Sequence, residues 1–128
     1  MKILVYGFKP YKNYKENITE KIIRKIKNRK NLVKIIFPVK FEKRIFLEKI
    51  RTIKPNIILG LGQHPRSKKI RIERKAINLK RKNKKEKPEF ISKNKPFHLF
   101  VNVKLKKDKI SWISYDAGKY VCNFSMYV

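Results

Sequence analysis

Cysteine is almost missing from this 128-residue sequence, with Cys122 the single one. One thiol cannot form an internal disulfide, and no Cys or His spacing of the zinc-finger kind occurs. The fold must therefore rest on apolar burial, and Cys122 is a free thiol, as in a reducing compartment. Acidic residues are scarce as well, 9 Asp and Glu against 36 Lys and Arg, for a formal charge of +27. The four glycines form no phosphate-cradling loop. No apolar run approaches the roughly 20 residues that a membrane-spanning helix needs. The opening MKILVYGFKP meets Gly7 and Pro10 without a small-residue cleavage site, so it reads as a buried strand and not as a signal peptide. A cytoplasmic protein with no membrane partner is the expectation.

What is present suffices for one domain over residues 1–128, since 41% of the chain is hydrophobic. The positive excess is densest between Arg66 and Lys95, where fourteen basic residues face only Glu73, Glu86 and Glu89. The run LKRKNKKEK over 79–87 lies there, and 79–96 reads as a solvated basic loop that attracts polyanions without sequence preference. Charge alone names no partner.

Short apolar runs alternate with amphipathic stretches, the order of an α/β domain with a largely parallel sheet. Strands are predicted at 2–8, 32–39 and 56–62, the last fully apolar, buried and closed by Gly60 and Gly62. The spacing of Ile18, Ile22, Ile23 and Ile26 predicts a helix over 18–29, with Asn17 and Glu20 as a capping box. A second helix is predicted over 41–53, with Phe46, Ile50 and Ile53 on one face, stopped at Lys54-Pro55. Residues 68–79 alternate as an extended segment, 97–105 and 109–115 read as strands joined by a tight turn, and a helix begins after Gly118. The Gly60–Gly62 loop places Gln63 and His64 at the carboxyl edge of the sheet, where open α/β folds bind ligands.

Cys122 admits two readings at this point. A lone cysteine is commonly a small buried hydrophobe. In the first turn of a helix, however, the helix dipole and free N–H groups favour a thiolate, which makes a nucleophile. His64 and His98, the two histidines, read as surface loop and strand residues.

Two stretches, GQHPRSKKIRIERKAIN (62–78) and YDAGKYVCN (115–123), carry Glu-Arg-x-Ala-x-Asn after a Gly-Gln loop and Ala-Gly-x-aromatic-x-Cys-Asn. Together with YGFKPYKNYKENITE (6–20) they resemble, in order and along the whole chain, the signatures of the pyroglutamyl peptidase I family of cysteine peptidases. The resemblance implies a three-layer α/β/α sandwich with a mostly parallel central sheet, lacking the family's C-terminal portion. It implies hydrolytic removal of N-terminal pyroglutamate from peptides, with Cys122 as nucleophile and Glu73 as the acidic active-site residue. Phe8, Tyr11 and Tyr120 fall where aromatic residues sandwich the lactam, and Gln63 lies in a loop lining the site. No metal or other cofactor is expected, and the truncated core is expected to be either weakly stable or a homo-oligomer.

The chain departs from the family at Lys12 and Asn13, where the family has a two-glycine turn, and at Asn83, where it carries an arginine, with Arg81 and Lys82 close by. The segment before the Ala-Gly turn is shorter than the family's. The family's catalytic histidine follows its cysteine, whereas this sequence ends at Val128, so weak or absent cleavage is expected. A non-catalytic relative and a basic nucleic-acid-binding protein are the alternatives.

Overall fold

The computed structural model describes residues 1–11, 14–64 and 66–128, so the departures at Lys12 and Asn13 lie outside the described residues. The chain divides into two compact units, Met1–Gln63 and His64–Val128.

The first unit is built on strand β1, Ile3–Phe8, whose residues 4–8 are all buried. Strands β2 (Leu32–Phe37) and β3 (Ile57–Gly60) flank it in parallel, in the order β2-β1-β3. A strand paired on both sides and covered on its faces favours an unbroken apolar run, which ILVYGF supplies. Tyr6, Phe8 and Phe37 meet Phe46 of helix α2 (Lys43–Ile53), with Phe37 and Phe46 ring centres 4.7 Å apart. Gly60 is dictated by this cluster, because a methyl group there would lie 2.5 Å from Tyr6 Cζ.

Helix α1, Ile18–Lys25, starts where predicted. Asn17 Oδ1 accepts from Thr19 N at 3.0 Å, and Thr19 Oγ1 accepts from Phe8 N at 2.8 Å, tying the helix start to the end of β1. Gly7 permits this approach, since a Cβ there would lie 2.8 Å from Thr19 Oγ1. The capping box is only half made. Glu20 turns instead to Arg24, 2.9 Å away. The helix also stops four residues short of 29, with Ile26 in extended backbone, because 27–31 offer no apolar residue to extend the buried face. Helix α2 begins at Lys43 and ends on Lys54 in the left-handed conformation (φ 51°), ahead of Pro55. The expectation of a buried third strand fails: β3 is a sheet edge within this unit, with Ile58 45% and Leu59 39% exposed.

In the second unit, β4 (Ile70–Glu73) pairs in parallel with β9 (Ser111–Ser114). Strand β5 (Lys75–Ile77) pairs antiparallel with β8 (His98–Phe100), and β6 (Leu79–Lys80) with β7 (Glu89–Phe90). The predicted extended segment 68–79 is thus broken. At Arg74 it changes partner, its N–H donating to Ser114 O at 2.8 Å and its carbonyl accepting from Val101 N at 3.0 Å. The predicted strands at 97–105 and 109–115 shrink, and they pair with β5 and β4 and not with each other. The basic segment 79–96 is not all loop, since it contains the β6–β7 pair. Helix α3, Val121–Tyr127, follows the turn at Gly118. There φ of +76° demands glycine, and Gly118 N donates to Asp116 Oδ1 at 2.9 Å.

Candidate active site

Glu73 is the last residue of β4, and β9 runs parallel beside it into the Asp116–Gly118 turn and then α3. Both arrive at the carboxyl edge of this strand pair, the edge where α/β folds place their chemistry. Alternation along a strand puts Arg71 and Glu73 on one face, and the register sets Trp112 and Ser114 opposite them. Arg71 Nε lies 2.9 Å from Glu73 Oε1, and its guanidinium also donates to Ser114 Oγ at 2.9 Å and to the Asp116 carbonyl. Glu73 Oε2 is buried with no hydrogen-bond partner among the described residues. The carboxylate pairs through one oxygen, and the other is left without a partner among the described residues.

Cys122 is the second residue of α3, behind Tyr120, which stands exposed at the N-cap in extended backbone. The half-buried thiol is pushed up to about 11, first by burial and then by the negative charge of Glu73, against a smaller opposing effect of its own N–H. That reverses the expectation of a favoured thiolate. A helix of seven residues gives a weak dipole, while desolvation and a like charge both penalise S⁻.

Asn123, beside the thiol, is 0% exposed. Its Oδ1 accepts from Ile77 N, and its Nδ2 donates to Ile77 O and Leu79 O, each at 2.9 Å. Asn78, the last residue of the Glu-Arg-x-Ala-x-Asn signature, is buried too, exchanging hydrogen bonds with Ser92 N and O at 2.8 and 2.7 Å. These two asparagines occupy the gap between β5 and β6 and lock α3 and residues 92–95 against it. In the sequence both asparagines stand out only as signature letters, and Arg71 carries no motif, although the alternation of Ile70, Arg71, Ile72 and Glu73 pairs it with Glu73 on one strand face.

The structure therefore brings Glu73 and Cys122 together in the second unit, which also holds Tyr120. Phe8, Tyr11 and Gln63 belong to the first unit. Phe8 is 2% exposed inside the aromatic cluster, the Tyr11 ring lies tilted against Tyr14 with centres 5.7 Å apart, and Gln63 Oε1 accepts from Ile18 N at 2.8 Å, satisfying a first-turn donor of α1. His64 is exposed, its Nδ1 accepting from Arg66 N at 3.3 Å, and His98 lies against Phe97 on exposed β8. Asn83 folds back on Lys85 N and Glu86 N, while Arg81 donates its backbone N–H to Lys119 O at 2.7 Å, next to the start of α3. Among the described residues no helix is long and apolar enough to cross a membrane.

Known proteins match this chain in sequence and in fold. The family model for pyroglutamyl peptidase matches residues 1–128. The chain is 34% identical to the pyrrolidone-carboxylate peptidase of Saccharolobus islandicus, over all of this chain and 71% of that protein. It is also 34% identical to that of Pyrococcus furiosus, over 100% of this chain and 71% of the relative. The first alignment runs to 149 positions, so the relative carries residues inside the matched region that this chain lacks. A solved structure of a mutant pyrrolidone carboxyl peptidase from Pyrococcus furiosus superposes with a TM-score of 0.83 at 28% identity, covering 98% of this chain and 70% of that one. The enzyme from Thermococcus litoralis gives 0.80 at 25% identity, with 98% and 66% covered. The α/β fold is thus shared with these proteins, and the chain belongs to the pyroglutamyl peptidase family.

Proposed function

We propose that this chain acts on peptides that begin with pyroglutamate, with Cys122 as the nucleophile and Glu73 beside it. The observation that carries the reading is that Cys122 lies near enough to Glu73 for its charge to act on the thiol, with Glu73 Oε2 left as a buried acceptor without a partner among the described residues. Sγ attacks the scissile carbonyl that joins pyroglutamate to the next residue, and the thiol proton passes through water to the nitrogen of that amide; the C–N bond breaks to release the amine, and water then cleaves the thioester to free pyroglutamate and restore the thiol. Glu73 Oε2 accepts a donor that arrives with substrate, the lactam N–H being the matching group, and Tyr120 supplies an exposed aromatic surface at the helix start.

With its pKa near 11, the thiol is ionised to about one part in 10⁴ at pH 7, so slow turnover is expected unless substrate binding lowers that value. The same observation favours a second reading, a relative that binds the lactam without cleaving it. Hydrolysis of a pyroglutamyl fluorogenic amide, together with alkylation of Cys122 in the presence and absence of free pyroglutamate, separates the two. Slow turnover that vanishes in Cys122→Ser supports the enzyme. Protection of the thiol without turnover supports the binder, and neither effect overturns both.

A further inference from the structure

The second unit carries an aromatic and cationic pocket that the peptidase chemistry does not use. The β4–β9 register sets Trp112 directly opposite Arg71, whose guanidinium carbon lies 5.6 Å from the indole centre. Glu73 and Ser114 hold that guanidinium in place, so the indole is a backed platform, and Trp112 is still 47% exposed. With Arg71 and Trp112, His64 and residues 66–69 line a pocket of about 510 Å³. Arg66, Lys68 and Lys69 are exposed and form no ion pair among the described residues.

We propose that this pocket binds single-stranded nucleic acid, one base stacking on Trp112 while neighbouring phosphates meet Arg66, Lys68 and Lys69. The combination decides the class of ligand. Base stacking on an aromatic ring tolerates any sequence, and cations beside the ring track the backbone. An acidic peptide satisfies the cations but brings no base for the indole, and a duplex keeps its bases stacked inside. Cys122 does not line this pocket, which shares with the candidate active site only Arg71, the partner of Glu73.

Trp112 is the only tryptophan in the chain, so its fluorescence reads the pocket directly. The wild-type chain is titrated with a short oligothymidylate, with inorganic polyphosphate and with polyglutamate. A charge of +27 attracts all three, so binding alone carries no weight. The expected result is quenching by oligothymidylate alone, with log affinity falling against log salt by about 0.7 per neutralised phosphate, or about 2 for three contacts. In anisotropy with a labelled oligonucleotide, Trp112→Leu is expected to weaken binding about 5-fold or more, the low end of one base–aromatic stack. A Lys68→Gln, Lys69→Gln double variant should keep the quenching at low salt and lose more than half of the salt slope. Oligothymidylate binding that leaves Trp112 fluorescence unchanged, equal quenching by polyphosphate, tighter binding of polyglutamate, or a folded Trp112→Leu chain of unaltered affinity each overturn the proposal.

Discussion

Arg71 and Glu73 stand two residues apart on β4 with their charged ends 2.9 Å from each other, and this pair links the two chemical features of the second unit. On one side Glu73 raises the pKa of the Cys122 thiol, and on the other Arg71 backs Trp112. The ion pair is half-buried, so its charges are screened less than those of a surface pair. A change at either residue is therefore felt at the other's neighbour.

Replacing Glu73 by Gln removes the like charge beside Cys122 while keeping the side-chain shape. The thiol pKa should fall from about 11 but stay above the ordinary value of 9.0, because burial is the larger cause. The pH dependence of iodoacetamide alkylation measures this, and Arg71 keeps Ser114 and Asp116 as acceptors, so the fold should hold. An alkylation midpoint unchanged by the substitution would show that Glu73 does not act on the thiol.

Asn123→Ala strips partners from Ile77 N, Ile77 O and Leu79 O at a position with no access to water. Each stranded backbone group costs on the order of 1–3 kcal/mol, partly relieved where water enters. A loss of at least about 2 kcal/mol is expected in urea unfolding. Because Cys122 is the adjacent residue, its alkylation rate should rise as α3 loosens.

Much of the first unit was legible in the sequence. ILVYGF could only be an interior strand, and Asn17 marked the start of α1 because its side chain caps a helix that begins at the next residue. Contacts distant in sequence were less legible. Nothing local in residues 68–79 shows that the chain changes partner at Arg74, and the two stretches around 97–105 and 109–115 look like a hairpin because each has β propensity, which is silent about pairing. For the site, the family resemblance marked Cys122 and Glu73, but the state of the thiol is set by burial and a non-local carboxylate, which no spacing rule conveys. Arg71 was within reach, since simple strand alternation places it beside Glu73.

Gly60→Ala tests the aromatic cluster of the first unit. The new methyl group would press on Tyr6 Cζ at 2.5 Å, and Tyr6 is wedged between Phe37 and Phe8. Overpacking of this kind costs about 1–3 kcal/mol. Combining it with Tyr6→Leu should give a double variant less destabilised than the sum of the two single changes, since the second removes the ring that the first strikes. Strict additivity in chemical denaturation would mean that the ring and Gly60 are not in contact.

Stability in alkali gives the last test, through the same thiol. In the unfolded chain Cys122 ionises near 9.0, and in the folded chain at about 11. A raised folded value means that the fold binds this proton more tightly. Below pH 9 both states are neutral and the full contribution is present. As pH rises from about 9 through about 11 the unfolded state gains by ionising first, and stability is lost until the folded thiol ionises too. The loss is bounded at about 2 kcal/mol for a thiol that is only half-buried. Lysines and tyrosines titrate in the same range, so the quantity to measure is the difference in unfolding free energy between the wild-type chain and Cys122→Ser across pH 8–11.5. That difference should shift steadily in favour of the serine variant as pH rises through this window. A flat difference would place the thiol in a solvated position, and with it would go the account of Cys122 as a nucleophile held neutral at rest.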